Sequence, residues 1–144
     1  MNLSTLSLLL LRLAISYVWL SAGLSKLFNP QFISTFSNTL TTFAKNSPFH
    51  FYSEFLNQYV IPKAYIFAQL TVWGEVLTGI AFLIGFPMTI AALAGVFMNL
   101  NYYFVATSAP SQFVNIILIF SQFAAYANGA GTIWGLSAKF GKKQ

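Results

Sequence analysis

The ionisable side chains that could do chemistry in this chain are few, and two of them interrupt long apolar runs. Glu75 lies near the middle of the run at residues 63–85. Arg12 lies within the run at residues 6–27. A run of about 20 apolar residues can cross a bilayer, and a charge at its centre costs about 2.5–3.5 kcal/mol on insertion scales. Each of these charges therefore needs a partner, and each marks a candidate functional site.

We predict that Arg12 and Glu75 form an ion pair between two helices. At 1.5 Å per residue they lie roughly 9 Å and 15 Å from the same side of the membrane, an offset that an extended arginine can bridge. Such a pair is either structural, fixing the helix register, or functional, forming a site for an anion, a proton or a quinone headgroup. The sequence does not decide between these two roles.

Further polar side chains fall on the inner faces of the predicted helices. Steps of three and four residues place one group on a single face of the first helix: Arg12, Ser16, Trp19, Gly23 and Lys26. Lys26 either snorkels to the surface or places a cation at the mouth of a cavity. Asn99, Asn115 and Gln122 occupy inner faces of later helices. These amides either bond one another or bind oxygen atoms of a quinone or lipid.

Composition indicates the class of protein. Of the 144 residues, 57% are hydrophobic and 6% are charged, against about 25% charged in a typical soluble domain. We therefore predict an integral membrane protein with one domain over residues 1–144. The net charge of +5 is an orientation and lipid-headgroup signal. The bases are too scattered to indicate nucleic-acid binding.

Metal and thiol chemistry have almost no ligands in this sequence. The chain has no cysteine and one histidine, His50. This excludes disulfides, thiol catalysis and thiolate-bound clusters within the chain. It also excludes a haem held by two of its own histidines. We expect no metal site and no cofactor bound by this chain alone.

Four transmembrane helices are predicted to form an all-α bundle, at residues 6–27, 63–85, 87–107 and 111–129. The aromatic-rich loop at residues 29–62 predicts two short amphipathic helices at the membrane interface. They either anchor the loop as an aromatic belt or form a lid over a site between the helices. An even number of spans places both termini on one side of the cell membrane. Lys139, Lys142 and Lys143 indicate the cytoplasmic side.

Taken in order, several short segments resemble the DoxX/DoxD-like family of small membrane proteins. The matching segments are residues 11–14, 22–27, 74–79, 83–85 and 129–131, together with Asn99. The resemblance implies a four-helix membrane bundle. For some members it implies the membrane subunit of a thiosulfate:quinone oxidoreductase, which couples oxidation of thiosulfate to tetrathionate with quinone reduction. For others it implies a part in membrane-associated redox or oxidative-stress complexes.

The sequence departs from this family after the glycine-rich turn at residues 129–131. The family often continues with a basic residue and then Ser-Leu-Asp. Residues 132–138 here contain no acid. Any role of the family's terminal motif is therefore not carried over to this chain.

Three functions remain open. The first is a quinone-linked oxidoreductase subunit in which quinone is a co-substrate and a small sulfur anion enters near Lys26. Its catalytic candidates are Arg12 and Glu75, and its binding candidates are Lys26, Trp19, Asn99, Asn115 and Gln122. The second is a non-catalytic accessory or assembly subunit of a respiratory complex, with a larger redox subunit or a second copy as partner. The third is a small-molecule or lipid carrier, which would need dimerisation because four spans are few.

Overall fold

A computed structural model describes residues 2–140, and these fold into helices joined by short connections, with no strand among them. The helices are α1 (Leu3–Leu27), α2 (Phe32–Asn46), α3 (His50–Phe55), α4 (Ala64–Ile84), α5 (Met88–Val105), α6 (Ala109–Ala127) and α7 (Ser137–Phe140). A π-helical segment, Leu56–Val60, and a 3₁₀ segment, Ile61–Lys63, join α3 to α4 without a break. A 3₁₀ turn, Ala130–Thr132, precedes α7. The predicted all-α class is confirmed for the described residues.

Three stretches of the described chain are long and apolar enough to cross a membrane: α1, the continuous stretch His50–Ile84, and α5. They contain or overlap the first three predicted spans, the second beginning at His50 rather than at residue 63, and they make this a multi-pass membrane protein in contact with lipid. The fourth predicted span forms α6, which carries Gln112, Asn115 and Gln122 and is not among these three stretches. Two statements stay predictions: that α6 crosses the membrane, and that both termini face the cytoplasm. Lys142 and Lys143 lie outside the described residues.

Local sequence sets where the helices begin and end. The side chain of Asn2 caps α1 by accepting a hydrogen bond from the backbone N–H of Thr5 at 2.9 Å. Gly85 ends α4 with a φ of +70°, a left-handed conformation that glycine adopts without strain. Ser108 caps α6, with Pro110 in its first turn. The turns after α4 and α5 are therefore short, and consecutive long helices are antiparallel neighbours.

The most extensive helix pair is formed by α1 and α4, whose backbones approach closely at two glycines. A Cβ on Gly23 would lie 2.8 Å from the backbone nitrogen of Val76, and a Cβ on Gly79 would lie 2.8 Å from that of Leu20. Ser16 Oγ also donates to the Gly79 carbonyl at 2.8 Å. Small residues allow this close packing in membrane bundles, so the two glycines fix the register of α1 against α4.

Gly79→Ala is expected to destabilise the bundle by about 1–3 kcal/mol, because the added methyl group overpacks a rigid helix contact. The measurement is thermal unfolding in mild detergent. Gly74→Ala is a matched control on the same helix, since its Cβ would meet only the flexible end of Met98, with Sδ at 3.2 Å. Equal losses in the two variants would contradict the close-packing role of Gly79.

The predicted loop between the first two spans forms a second small core at one end of the bundle. Its stripe of apolar residues packs inward: Phe36, Leu40 and Ala44 of α2 against Tyr52, Leu56, Val60 and Ala68. Ser53 Oγ donates to the Ala44 carbonyl at 2.5 Å, and Ser47 Oγ donates to the Phe104 carbonyl at 2.8 Å. The two predicted amphipathic helices are present as α2 and α3. Their placement at a membrane interface stays a prediction.

Candidate functional site

The predicted ion pair between Arg12 and Glu75 is wrong, because the partner of Glu75 is Lys26. Lys26 Nζ lies 2.8 Å from Glu75 Oε1 and 2.7 Å from Oε2. Arg12 instead donates from Nη1 to the backbone carbonyls of Ala130, at 2.9 Å, and Ile133, at 2.8 Å. The two charges that were predicted to meet therefore belong to different parts of the bundle.

The register of α1 against α4 explains this difference. The two helices are antiparallel, and Ser16 faces Gly79. Along α1, Arg12 lies one turn from Ser16 in the direction in which α4 ends. Along α4, Glu75 lies one turn from Gly79 in the direction in which α4 begins. At 1.5 Å per residue these displacements separate Arg12 from Glu75 by roughly 12 Å. Glu75 lies opposite Gly23 instead, and the side chain of Lys26, about one turn further along α1, reaches back to it. The sequence-based depths were measured from assumed helix ends, and helix ends do not determine packing register.

Glu75 is the centre of a polar network inside the bundle. It is 1% exposed, and its carboxylate accepts hydrogen bonds from Lys26 and from the hydroxyl of Tyr102, which donates to Oε1. Lys26 Nζ also lies 5.9 Å from the centroid of the Tyr102 ring, within range of a cation–π contact. The side chain of Lys26 is 25% exposed. We call these three residues the Lys26–Glu75–Tyr102 network; its charges compensate each other.

Sequence reasoning missed Tyr102 and misplaced Lys26. Tyr102 follows Asn99 by three residues and so shares its helix face, which was the available signal. A tyrosine within an apolar run carries little cost, so it does not stand out as a charged residue does. Lys26 was recognised on the polar face of α1, but as a surface or cavity-mouth cation rather than as the counter-ion of Glu75.

An apolar cavity of about 260 Å³ lies beside this network. Lys26 and Tyr102 form part of its wall, and Lys26 is the only charged side chain among the described residues that line it. Much of the remaining wall is aromatic or aliphatic: Phe32, Phe36, Leu40, Phe43, Phe55, Leu56, Phe67, Leu70, Phe97 and Met98. Because α2 supplies four of these residues and covers the cavity, the geometry favours the lid interpretation of this segment.

Trp19 and Gln122, two predicted binding residues, meet in the bundle core. Trp19 Nε1 donates to Gln122 Oε1 at 3.0 Å, and Gln122 Nε2 donates to the Leu118 carbonyl at 2.9 Å. Gly95 makes room for this pair, since a Cβ there would lie 1.6 Å from Gln122 Oε1. Each polar atom of the Gln122 amide therefore has a protein partner within the core.

Asn99 and Asn115 have different surroundings. Asn99 is 1% exposed, and its Nδ2 has no hydrogen-bond partner within the described chain. Asn115 is half-buried and donates to the Ser111 carbonyl of its own helix at 2.9 Å, so it is not brought to the network. Neither amide lines the cavity, and neither does the Trp19–Gln122 pair. Their predicted role in quinone binding stays a prediction.

A comparison with protein families identifies the chain. The sequence model of the DoxX family matches residues 7–108. The chain belongs to the DoxX family. The match spans α1 to α5 and so includes the whole Lys26–Glu75–Tyr102 network, whereas α6 and the glycine-rich turn lie beyond it. No curated protein and no solved structure matches the chain.

At the opposite end of this DoxX protein, Arg12 holds the glycine-rich turn against the bundle. A Cβ on Gly85 would lie 2.6 Å from Arg12 Nη1 and 2.8 Å from the Gly131 carbonyl oxygen, and a Cβ on Gly135 would lie 2.1 Å from that same oxygen. Both positions therefore need a residue without a side chain. The backbone N–H of Leu136 also donates to the Ile84 carbonyl at 2.9 Å. These contacts fix the segment at residues 130–140, which we call the C-terminal segment.

The cavity beside the network is the better candidate site in this DoxX protein. A larger, open cavity of about 380 Å³ lies at the C-terminal segment, and none of its described lining residues is charged. Arg12 lines neither cavity. Within residues 2–140, no three His, Cys, Asp or Glu side chains are grouped as metal ligands would be. Lys26 is the charged group at the wall of the smaller cavity, and Tyr102 lies beside it with Glu75 behind both. Its other polar lining residues within the described chain are Thr39, Tyr52, Thr71 and Asn101.

Proposed function

We propose that this DoxX protein is the membrane subunit of a quinone-linked oxidoreductase, with the quinone ring bound in the cavity beside Lys26 and Tyr102. The observation that carries the proposal is a charge-compensated polar network at one wall of an otherwise apolar cavity. Small-molecule sites have this character, with a few placed polar groups in an apolar lining. The cavity volume of about 260 Å³ is just below the roughly 300–1,000 Å³ of pockets for drug-sized ligands, which favours a single ring.

A neutral ligand suits this cavity better than an anion. The charge of Lys26 is compensated by Glu75 at 2.7 Å. An anion entering the cavity would lose its hydration without gaining a net positive charge in return. The expectation that a sulfur anion enters near Lys26 is therefore replaced in this proposal: the anion is oxidised outside the cavity, on a partner subunit.

The residues of the network match the needs of a quinone. Reduction of a quinone to its quinol takes up two electrons and two protons. With thiosulfate as the electron donor, two thiosulfates, one quinone and two protons give one tetrathionate and one quinol. Lys26 and Tyr102 carry protons at the cavity wall. The ammonium group of Lys26 has three N–H donors; two bond Glu75, and the third, which reaches the Ala22 carbonyl at 3.5 Å, would turn to a quinone carbonyl oxygen. Glu75 holds both groups in place through hydrogen bonds to its carboxylate. The chain lacks cysteine, and in this proposal the electrons reach the quinone from the partner subunit.

A second candidate function is that of a non-catalytic accessory or assembly subunit. The pairing of Lys26 with Glu75 inside the chain favours it, and so do the hydrogen bonds by which Arg12 holds two backbone carbonyls. Buried pairs of this kind can serve only to fix helix register. On this view the chain co-purifies with larger redox subunits, and changes at Tyr102 leave the activity of the complex intact.

The test uses the complex purified gently from its native membrane with any associated subunits. Thiosulfate-driven reduction of decylubiquinone is measured for the wild type, Glu75→Gln and Tyr102→Phe. Loss of a positioned proton-transfer group is expected to lower kcat by about 100-fold. Tyr103→Phe is the matched control, because Tyr103 is adjacent in sequence, packs against Phe49 and does not line the cavity.

Direct binding separates the two candidate functions. Decylubiquinone binding to the chain alone in nanodiscs is expected in the wild type and Tyr103→Phe, and is expected to weaken in Tyr102→Phe. Full turnover in folded Glu75→Gln, or no binding by the wild-type chain, would contradict the quinone site. In that case an assembled complex would support the accessory role.

A further inference from the structure

We infer that the quinone enters this cavity sideways from the bilayer, between α4 and α5, and keeps its apolar tail in this opening. The inference rests on the proposed function and adds the class of ligand, a neutral ring with a long apolar tail. It also assigns two residues, Leu70 and Phe97, that control access. We call the part of the cavity wall formed by these two residues the lateral opening.

The lateral opening follows from two residues that belong to both an internal and an external surface. Leu70 of α4 and Phe97 of α5 line the cavity, yet they are 61% and 67% exposed. Phe55 of α3 also lines the cavity and is less exposed, at 41%. A side chain that borders a cavity and also faces the outside stands at a break in the wall. Leu70 and Phe97 both lie within stretches apolar enough to cross a membrane, so the break faces hydrocarbon rather than water.

Few polar contacts close the wall at this point. Within residues 2–140, the only side-chain hydrogen bond between α4 and α5 is that of Tyr102 with Glu75, on the inner side of the cavity. Asn101, which also lines the cavity, donates to the Phe97 carbonyl of its own helix at 2.7 Å and accepts from Tyr52 at 2.5 Å. It is tied to α5 and α3 rather than to α4. Apolar side chains alone separate the cavity from lipid at the lateral opening.

The size of the cavity requires the tail to leave it. A volume of about 260 Å³ holds a ring but not a ring with a long chain. Lipid is as apolar as the side chains of Leu70 and Phe97, so a tail in the opening gains little energy over a tail in the bilayer. The opening therefore determines the route of the ligand and which ligands enter, while Lys26 and Tyr102 determine how firmly the ring is held.

The direction of the tail can be mapped by photo-cross-linking. The probe is a ubiquinone analogue with a ten-carbon tail that ends in a diazirine, added to the wild-type chain in nanodiscs. Mass spectrometry is expected to find labels near Leu70 on α4 and Phe97 on α5, and an excess of decylubiquinone is expected to suppress them. Suppressible labels confined to α1, α6 or the C-terminal segment would overturn the lateral opening.

Tryptophan substitutions test the route independently. Leu70→Trp combined with Phe97→Trp narrows the opening and is expected to slow decylubiquinone association by about tenfold. The matched controls are Leu77→Trp on α4 and Leu93→Trp on α5, which are 59% and 67% exposed but do not line the cavity. They should bind as the wild type does, with an unchanged midpoint of thermal unfolding in all variants.

The outcomes distinguish this inference from the proposed function. If the wild-type chain binds no quinone, both fail. If it binds quinone in a Tyr102-dependent manner but the Leu70→Trp/Phe97→Trp variant associates as fast as its controls, the lateral opening alone is wrong. Slow association in that variant, together with protected labels on α4 and α5, supports both.

Discussion

Lys26→Met is expected to destabilise this DoxX protein by about 3–5 kcal/mol, the usual effect of breaking a buried ion pair from one side. Glu75 is 1% exposed, and its remaining partner would be the hydroxyl of Tyr102. The carboxylate would then lie in the bundle without a counter-ion. Replacing both charges together avoids this, so Lys26→Met/Glu75→Leu is expected to recover most of the lost stability.

The measurement is the free energy of unfolding in bicelles for the two single variants and the double variant. Lys63→Met is the control for loss of a positive charge, because Lys63 is exposed on the 3₁₀ segment before α4. A double variant as unstable as Lys26→Met would contradict the pairing. Arg12→Met combined with Glu75→Leu should show no such recovery, since the structure separates these two residues.

The charged residues of the site could be identified from the sequence, because the free energy of placing a charge in an apolar run depends on that run alone. A carboxylate or ammonium group within an apolar run needs compensation whatever lies around it, so Glu75 and Lys26 were recognisable. The partner of each charge depends on axial register, and a shift of one helical turn, about 5.4 Å, changes the partner. That register depends on contacts at Gly23 and Gly79 between distant segments. Composition and periodicity do not report such contacts.

The helices themselves were predictable for a similar reason, and the cavity was not. Apolar length and turn residues such as Gly85 and Pro110 are properties of short windows, and they located the long helices to within a few residues. The cavity depends on α2 folding back, which buries Phe36 and Leu40 against the segment around Leu56. The aromatic residues of α2 predicted an amphipathic helix, either an anchor at the membrane interface or a lid over a site between the helices. They did not decide between these two roles.

Arg12→Met is expected to release the C-terminal segment from the bundle. It removes two charge-assisted hydrogen bonds, from Nη1 to the carbonyls of Ala130 and Ile133, and leaves those carbonyls without their partner. We expect the free energy that holds the C-terminal segment against the bundle to fall by about 2–4 kcal/mol. This is less than the sum of two separate charge-assisted bonds, because burying the guanidinium is itself costly. Hydrogen exchange is the measurement, read at the backbone N–H of Leu136.

The Leu136 amide reports the release because it donates to the Ile84 carbonyl at 2.9 Å only while the segment is docked. Gly135→Ala is the positive control for release, since its Cβ would lie 2.1 Å from the Gly131 carbonyl oxygen and would displace the turn directly. Faster exchange in both variants, with quinone binding retained, would assign Arg12 to holding the turn rather than to chemistry. Unchanged exchange at Leu136 in Arg12→Met would rule out that role, and the buried guanidinium would again need a functional explanation.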